Sequence, residues 1–212
     1  MDEALRQQAR EAGAHIRDGT LRGARLLEAL LAVPFIERDV WIDEALGLDA
    51  IPDDVPDLPR GAVPYVPCNV DAIVRAVLDA PVRARDVFVD LGCGVGRVAV
   101  LVHLLTGARV AGIDLQAPLI ERGRAMVHAL ALDDVHLAIG DAAQNETALG
   151  TVYFIYASFS PAVLARVLAW LERVASTRPI VLCAVGFPVL GQAWLRERAS
   201  RSPELALYDS LP

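Results

Sequence analysis

The chain has 212 residues, a formal net charge of −7 and no lysine, and 54% of its residues are apolar. This length suits one domain with a sizeable core, and the apolar content excludes an intrinsically disordered chain. The acidic balance argues against a nucleic-acid partner, because affinity for phosphate backbones depends on lysine and arginine. The charge favours a small molecule or a basic protein as the partner.

Cysteine usage and the apolar runs indicate where the protein works. Cys68, Cys93 and Cys183 include no Cys-x-x-Cys pair, and they leave one cysteine over in any disulfide scheme. The N-terminus has no basic region or apolar core of a leader, and charged residues interrupt the apolar runs before they reach membrane-spanning length. We therefore expect a cytoplasmic protein without a membrane partner.

The N-terminal third is predicted to be helical and then extended. Residues 2–31 have apolar side chains at helical spacing, and Asp18-Gly19 divides them into two helices. These helices could cover one edge of the core, form a homodimer contact or act as a substrate lid. A short helix is expected around residues 42–48, and five prolines between residues 51 and 67 favour an extended loop. We predict a lid or cap over residues 1–64 and the main domain over residues 65–212.

From Asn69 onward, helical and strand-like segments alternate. Asn69 can cap a helix that runs to about Leu78. Strands are predicted near residues 87–91, 110–113, 136–139, 152–156 and 180–184. Helices near residues 98–105, 118–130 and 161–174 separate most of them, which predicts a doubly wound, mostly parallel α/β sheet. Residues 194–200 and 204–208 could add a final antiparallel pair.

The most informative stretch is residues 88–97, Phe-Val-Asp-Leu-Gly-Cys-Gly-Val-Gly-Arg. An apolar strand ends in an acid and turns through alternate glycines into a helix, so backbone N–H groups can approach a polar ligand closely. The dinucleotide fingerprint would require a glycine where Arg97 stands. The acid, Asp90, instead suits the free ammonium group of S-adenosylmethionine.

Two further acids stand at the ends of later predicted strands. Asp114, which comes 24 residues after Asp90, can accept hydrogen bonds from the two ribose hydroxyls. Asp141 can accept a hydrogen bond from the exocyclic amine of adenine. Three acids at three strand ends arise by chance much less often than one, and the alternative is a NAD-type or cofactor-free Rossmann-like domain.

With these motifs the chain resembles class I S-adenosylmethionine-dependent methyltransferases from about Asn69 to the C-terminus. The resemblance implies the fold, the cofactor and methyl transfer, so residues 65–212 are expected to be the catalytic domain. By position in the motifs it implies cofactor contacts at Asp90, Gly92, Gly94, Asp114 and Asp141, with Cys93, Leu115 and Ala142 beside them.

The acceptor wall is expected at the end of the fourth strand, Tyr156-Ala-Ser-Phe-Ser-Pro161, because open sheets bind ligands beyond the carboxyl ends of their strands. Tyr65 and Tyr156 are candidates for an aromatic slot around the methyl group, or for ordinary core positions. Ser158 is a candidate hydrogen-bonding residue or a turn cap. The Asp/Asn-Pro-Pro-aromatic motif of DNA and RNA amino-methylating enzymes is missing, and no acid accompanies Asp141, so we predict neither a nucleobase acceptor nor a metal.

Two finer resemblances concern the acceptor. Residues 64–67, 89–96 and 156–161 are similar to class I protein-lysine methyltransferases of the disruptor-of-telomeric-silencing and ATP-synthase c-subunit types, although the paired asparagines of the former are replaced by Tyr156-Ala157. The layout of residues 26–34 is similar to protein-L-isoaspartate O-methyltransferases, whose Gln-Thr-Ile-Ser motif is missing. We predict N-methylation of a protein or peptide amine such as lysine. The alternatives are a small-molecule N- or O-methyltransferase of secondary metabolism and a non-catalytic cofactor-binding subunit.

Overall fold

A mixed sheet with helices on both faces organises the described part of the chain. The computed structural model describes residues 1–48, 50–59, 61–144, 149–157 and 159–211. The strands in these ranges are β1 (Val87–Leu91), β2 (Arg109–Asp114), β3 (Val135–Ile139), β4 (Val152–Tyr156), β5 (Val181–Val185), β6 (Leu195–Arg198) and β7 (Leu205–Ser210). The α-helices there are α1 (Glu3–Arg17), α2 (Gly23–Ala32), α3 (Arg38–Leu46), α4 (Val70–Asp79), α5 (Arg97–Thr106), α6 (Ala117–Ala129) and α7 (Pro161–Ala175).

The strand order is β3-β2-β1-β4-β5-β7-β6. Strands β1 to β5 are parallel, whereas β7 pairs antiparallel with β5 and β6 antiparallel with β7. The predicted doubly wound, mostly parallel α/β sheet is therefore confirmed, together with its final antiparallel pair. The carboxyl ends of β1 to β4 lie at one edge of the sheet, and that edge carries the site.

The central strands are buried on both faces, as parallel sheets require. Phe88 and Phe154 belong to the cluster under α4, α5 and α6, with ring centroids 5.8 Å apart. Val89 and Tyr153 alternate with them along the strands and pack with Trp170 of α7 on the opposite face. The Asn69 side chain caps α4 by accepting the Ala72 N–H at 2.7 Å, as predicted. Alternation of apolar side chains thus builds both layers around the site.

The N-terminal helices extend the core of the main domain. Helix α2 packs on α5, and α3 packs on α1 and α4. Ile16, Leu26, Leu30 and Trp41 belong to the same buried cluster as Phe88. Of the interpretations considered for these helices, the packing fits coverage of the core, and no described residue of α1 to α3 lines the cleft discussed below.

The third helix starts earlier than the sequence pattern predicts. A 3₁₀ turn over Phe35–Glu37 leads directly into α3 at Arg38, whereas the expected start was residue 42. The added turn begins with two charged residues that pair with residues of other helices: Arg38 with Asp71 of α4 and Asp39 with Arg97 of α5. Tertiary ion pairs, which apolar spacing does not reveal, extend the helix.

Candidate active site

A cleft lies at the carboxyl ends of the parallel strands, beneath the proline-rich loop. It encloses about 850 Å³ of space, a volume that includes its open mouth. Residues that follow β1, β2 and β3 form one side, and the proline-rich loop, the end of β4 and α7 form the other. The predicted site residues that line it are Tyr65, Gly92, Asp114, Leu115, Asp141, Ala142 and Tyr156.

The glycine-rich turn after β1 is tied to the end of β2. The N–H groups of Gly92 and Cys93 both donate to the Ile113 carbonyl, at 2.9 and 3.0 Å. The N–H of Gly94 donates to Oδ2 of Asp114 at 2.9 Å. Gly92 and Gly94 have φ angles of +85° and +54°, in the left-handed region that favours glycine. The turn therefore connects the first two predicted cofactor acids through its backbone.

Three predicted cofactor residues lie behind the lining of the cleft. Cys93 is buried, and its Sγ would lie 2.8 Å from a Cβ at Gly112, so its side chain fills the space between strand and turn. Gly94 is covered by the Tyr65 ring, whose Cε2 would lie 2.0 Å from a Cβ at that position. Asp90 is also buried, at the end of β1. Their roles toward a cofactor remain predictions.

Asp90 is a buried acid with an unused hydrogen-bond acceptor. The residue is 2% exposed, and no described residue donates a hydrogen bond to its Oδ2. Burial, followed by the nearby charge of Asp114, raises the pKa of Asp90 from 3.8 to about 8. A buried carboxylate without a partner is costly unless a cation or donor reaches it. This oxygen is therefore available to a cationic ligand group.

Asp114 and Asp141 face the cleft with carboxylates that are already oriented. Oδ1 of Asp114 accepts the Gln116 N–H at 2.9 Å, while Oδ2 accepts the Gly94 N–H noted above. Burial raises the pKa of Asp114. Asp141 accepts the Ala143 N–H at 2.8 Å and the side-chain amide of Gln144 at 2.7 Å. Each carboxylate oxygen has a second lone pair, so both acids can still accept hydrogen bonds from a ligand.

The opposite wall of the cleft is aromatic and apolar. Tyr65 and Tyr156 are half-buried, and Phe159, Val163 and the exposed Arg166 complete the wall. Burial raises the pKa of both phenols, so they stay protonated at neutral pH. Ser158, the third predicted catalytic residue, lies outside the described residues.

The proline-rich loop covers the cleft and is attached at both ends of the site. Ala62 forms an antiparallel bridge with Phe159, and the Gly61 carbonyl accepts the Ser160 N–H at 3.2 Å. Asp54 and Gln116 connect the same loop to the end of β2. Sequence reasoning missed these two residues. The only signal for Gln116 was its place two residues after Asp114, and Asp54 stands in a stretch whose prolines indicate only an extended chain.

Arg97, the residue that excludes a dinucleotide fingerprint, anchors helix α3 behind the turn. It is 3% exposed, and its Nη2 donates to Oδ1 of Asp39 at 2.6 Å. Its Nε lies 3.2 Å from Oδ1 of Asp43 without hydrogen-bond geometry. Burial, opposed by the charge of Arg97, raises the pKa of Asp43 to about 6.

Comparison with known proteins identifies the domain. Residues 88–177 match a protein family described as a methyltransferase domain. This stretch, which is less than half of the chain, is a class I, S-adenosylmethionine-dependent methyltransferase domain. The match begins in β1 and ends just beyond α7, so it contains the glycine-rich turn and all three predicted cofactor acids. No curated protein sequence matches the chain significantly.

Solved structures share the fold of this methyltransferase. An RNA methyltransferase from Salinibacter ruber in complex with S-adenosyl-L-homocysteine is 24% identical, with a TM-score of 0.56 over 68% of this chain and 92% of its own. The putative methyltransferase yhhF from Escherichia coli is 16% identical, with a TM-score of 0.54 over 76% and 91%. MtNAS in complex with MTA and tNA is 13% identical, with a TM-score of 0.57 over 97% and 71%, so that likeness extends over the N-terminal helices.

The described residues of the methyltransferase fit its cofactor. The unpartnered Oδ2 of Asp90 suits an ammonium group, and Asp114 and Asp141 present acceptors to the cleft. Among the described residues, no group of three or more His, Cys, Asp or Glu side chains could hold a metal ion. The three cysteines are free and buried. No helix in the described ranges is long and apolar enough to cross a membrane.

Proposed function

We propose that the methyltransferase transfers a methyl group to an amine, foremost an amine of a protein or peptide such as a lysine side chain. The observation that carries the proposal is the composition of the acceptor wall. The described lining of the cleft contains no histidine. Its carboxylates belong to Asp114, which ends β2, and Asp141, which follows β3, and both are assigned here to the cofactor. A hydroxyl acceptor would need a base at the acceptor wall to remove its proton, whereas a neutral amine is nucleophilic without such a base.

The chemistry follows from positioning and desolvation. When bound, the cofactor supplies a methyl group activated by the positive charge on sulfur. The nitrogen lone pair of the amine forms the new N–C bond while the S–C bond breaks, and the amine then releases a proton to water. Lysine in water titrates near 10.4. A slot of Tyr65, Tyr156 and Phe159 disfavours its charged form, so the amine can enter neutral and aligned.

The cofactor roles within this proposal follow the predicted motifs. We assign the ammonium group to Asp90, the ribose hydroxyls to Asp114 and the exocyclic amine of adenine to Asp141. Leu115 and Ala142 line the cleft beside the last two acids and are assigned apolar contacts with the base. Gly92, Cys93 and Gly94 form the turn that faces the amino-acid end. Tyr65 and Tyr156 are assigned to the methyl group, and Ser158 stays a predicted acceptor contact.

A small-molecule acceptor is the second candidate, and the proline-rich loop that covers the cleft favours it. The bridge between Ala62 and Phe159 joins the cover to the acceptor wall and narrows access to a slender group or a compact molecule. Arg166 is the basic residue among the described lining and would suit an acceptor with an acidic group. A third candidate is a non-catalytic cofactor-binding subunit, which would bind the cofactor tightly without turnover.

Exclusion of nucleic acid, the possible homodimer and the cytoplasmic location stay predictions. The likeness to an RNA methyltransferase is 24% in identity and shows the fold. Against an RNA acceptor stand the net charge of −7 and the missing motif after β4.

Labelled methyl transfer distinguishes these acceptors. The protein is incubated with S-adenosylmethionine labelled on the methyl group and a cell lysate, and products are divided into macromolecules and small molecules. Label that a protease releases, and that mass spectrometry locates on an amine, supports the proposal. Label in small molecules selects the second candidate, and label removed by ribonuclease refutes the exclusion of RNA. Asp114→Ala serves as the cofactor-deficient control, and Tyr156→Phe should change turnover while leaving cofactor affinity nearly intact.

A further inference from the structure

The side chain of Gln116 forms hydrogen bonds with the proline-rich loop that covers the cleft, and it does not cap its own helix. It stands at the N-terminal cap position of α6, where its side chain makes no capping hydrogen bond. Its Nε2 donates to Oδ1 of Asp54 at 2.7 Å, and its Oε1 accepts the Val55 N–H at 2.9 Å. The residue is only 4% exposed. Both ends of a buried amide are thus committed to a loop that is about 60 residues away along the chain.

Asp54 transmits this contact to the catalytic side of the cleft. The same Oδ1 that accepts from Gln116 also accepts the Tyr65 N–H at 2.9 Å. The Tyr65 ring in turn lies on Gly94 of the glycine-rich turn. Since the Gln116 N–H donates to Asp114, one chain of hydrogen bonds runs from the predicted ribose acid to the backbone of Tyr65.

A further polar attachment on this side lies just before the cover, where Arg122 of α6 donates to the Ala50 carbonyl at 3.0 Å. We define the cover as residues 51–59 and 61–67, a segment that contains five prolines, none of which has an N–H to donate. Its bridge to Phe159 fixes the acceptor side, and its hydrogen bonds to Gln116 fix the cofactor side. Val66 is largely exposed, so apolar burial does not hold every part of the cover. Loss of the Gln116 side chain would leave the half-buried Val55 N–H without its acceptor and the half-buried Asp54 carboxylate without one of its donors.

We propose that Gln116 and Asp54 form a clamp that holds the cover closed over the cofactor and sets the position of Tyr65. Both residues act through the cover and through Asp114 as positioning residues, and Gln116 also lines the cleft itself. Amide exchange in the ligand-free protein therefore tests the clamp apart from any contact of Gln116 with the cofactor. Opening of the clamp is then the step that lets the used cofactor leave. This inference rests on the proposed function for the role of Tyr65, but the clamp itself is tested without an acceptor.

The test combines amide hydrogen exchange with cofactor release. In the protein without ligand, exchange at the Val55 and Tyr65 amides should be slow in the wild type and at least about tenfold faster in Gln116→Ala, while amides of β1 and β4 stay protected. The dissociation rate of S-adenosylhomocysteine should rise by about the same factor. Thermal unfolding of each variant establishes that it is folded.

Matched variants separate a hydrogen-bond clamp from simple packing. Gln116→Glu keeps the size but replaces the donor by an acceptor that faces Asp54, so it should open the cover as much as Gln116→Ala does. Asp54→Ala should behave similarly, whereas Asp54→Asn keeps an oxygen at Oδ1 and should restore slow exchange to within about threefold of wild type. Asp53→Ala, at the exposed neighbouring carboxylate, is the surface control.

The outcomes are decisive whether or not the acceptor is an amine. Faster exchange at Val55 and Tyr65 in Gln116→Ala and Gln116→Glu, with rescue by Asp54→Asn, supports the clamp. Unchanged exchange at these amides in a folded Gln116→Ala overturns it. Rescue by Gln116→Glu also overturns it, because packing alone would then explain the effect. Failure of amine methylation by the wild type would refute the proposed acceptor and leave the exchange result intact.

Discussion

Replacing Asp90 by asparagine should stabilise the ligand-free protein while weakening its cofactor site. The carboxylate is 2% exposed, and its pKa is raised from 3.8 to about 8. Each pKa unit corresponds to about 1.4 kcal/mol. At pH 7 the relevant interval runs from 3.8 to 7, which is about three units, so burial of this group costs at most about 4 kcal/mol. Asparagine removes this cost because it has no charge to desolvate.

The direction of the Asp90 pKa shift determines how the stability gain of Asp90→Asn depends on pH. Between pH 4 and 8 the folded protein keeps a proton on Asp90 that the unfolded chain releases. The stability contribution of this group is therefore complete below about pH 4 and is lost as pH rises to about 8. The free energy of unfolding of Asp90→Asn, measured in urea, should exceed that of wild type by an amount that grows from pH 5 to pH 8. A difference that stays constant over this range would refute the raised pKa.

Binding of S-adenosylhomocysteine should respond in the opposite direction. If Asp90 receives the ammonium group, loss of the charge should weaken binding by at least about tenfold in calorimetry. At pH 7 the wild type should also release up to one proton on binding, because the ligand cation favours the ionised carboxylate. Asp133→Asn, at an exposed acid, is the control. Equal affinity of Asp90→Asn and wild type would remove Asp90 from the ammonium site.

Three further substitutions test other contacts of the site. Gly94→Ala would place a Cβ 2.0 Å from the Tyr65 ring and should weaken cofactor binding by about tenfold or more. Adding Tyr65→Ala should recover part of this lost affinity. If the losses of affinity of the two single variants simply added in the double variant, the contact between Gly94 and Tyr65 would be contradicted. Arg97→Ala removes the buried cation that pairs with Asp39 and Asp43 of α3. Because both carboxylates are partly exposed, urea unfolding should show a loss of about 1–3 kcal/mol, and a loss below about 0.5 kcal/mol would refute the anchoring role. Asp114→Ala should weaken cofactor binding by about 1–3 kcal/mol in calorimetry, and unchanged affinity would remove this acid from the ribose site.

The sheet could be predicted closely because its signals are local. Strands β1 and β4 have the predicted bounds, since each is apolar on both faces and is followed by a turn. The glycine-rich turn was readable for the same reason, because its glycines have positive φ and its acid ends a strand. Local patterns of this kind locate a cofactor site, but they do not show how far each side chain is buried. Cys93 and Asp90 accordingly lie behind the cleft although their sequence positions are in its motif.

The contacts that close the site could not be predicted, because they join residues with no shared pattern. Asp54 lies among prolines and Gln116 at a helix cap, so neither belongs to a periodic apolar face. Arg38 and Asp39 likewise interrupt the apolar pattern of α3, and their partners lie on α4 and α5. In each case a polar side chain is satisfied by a distant polar group, and only the folded chain shows which one.

Asp90 and the closed cover both affect the attraction between the protein and the ammonium group of the cofactor. Oδ2 of Asp90 has no described hydrogen-bond partner, so its carboxylate is costly to ionise until a cation is close. A cover that excludes water lowers the effective dielectric constant and thereby strengthens the attraction between that carboxylate and an ammonium group. An open cover would admit water and weaken the attraction, which would favour release of the used cofactor. The affinity for the cofactor and its rate of release can therefore be adjusted by one polar contact, between Gln116 and Asp54, without rebuilding the glycine-rich turn.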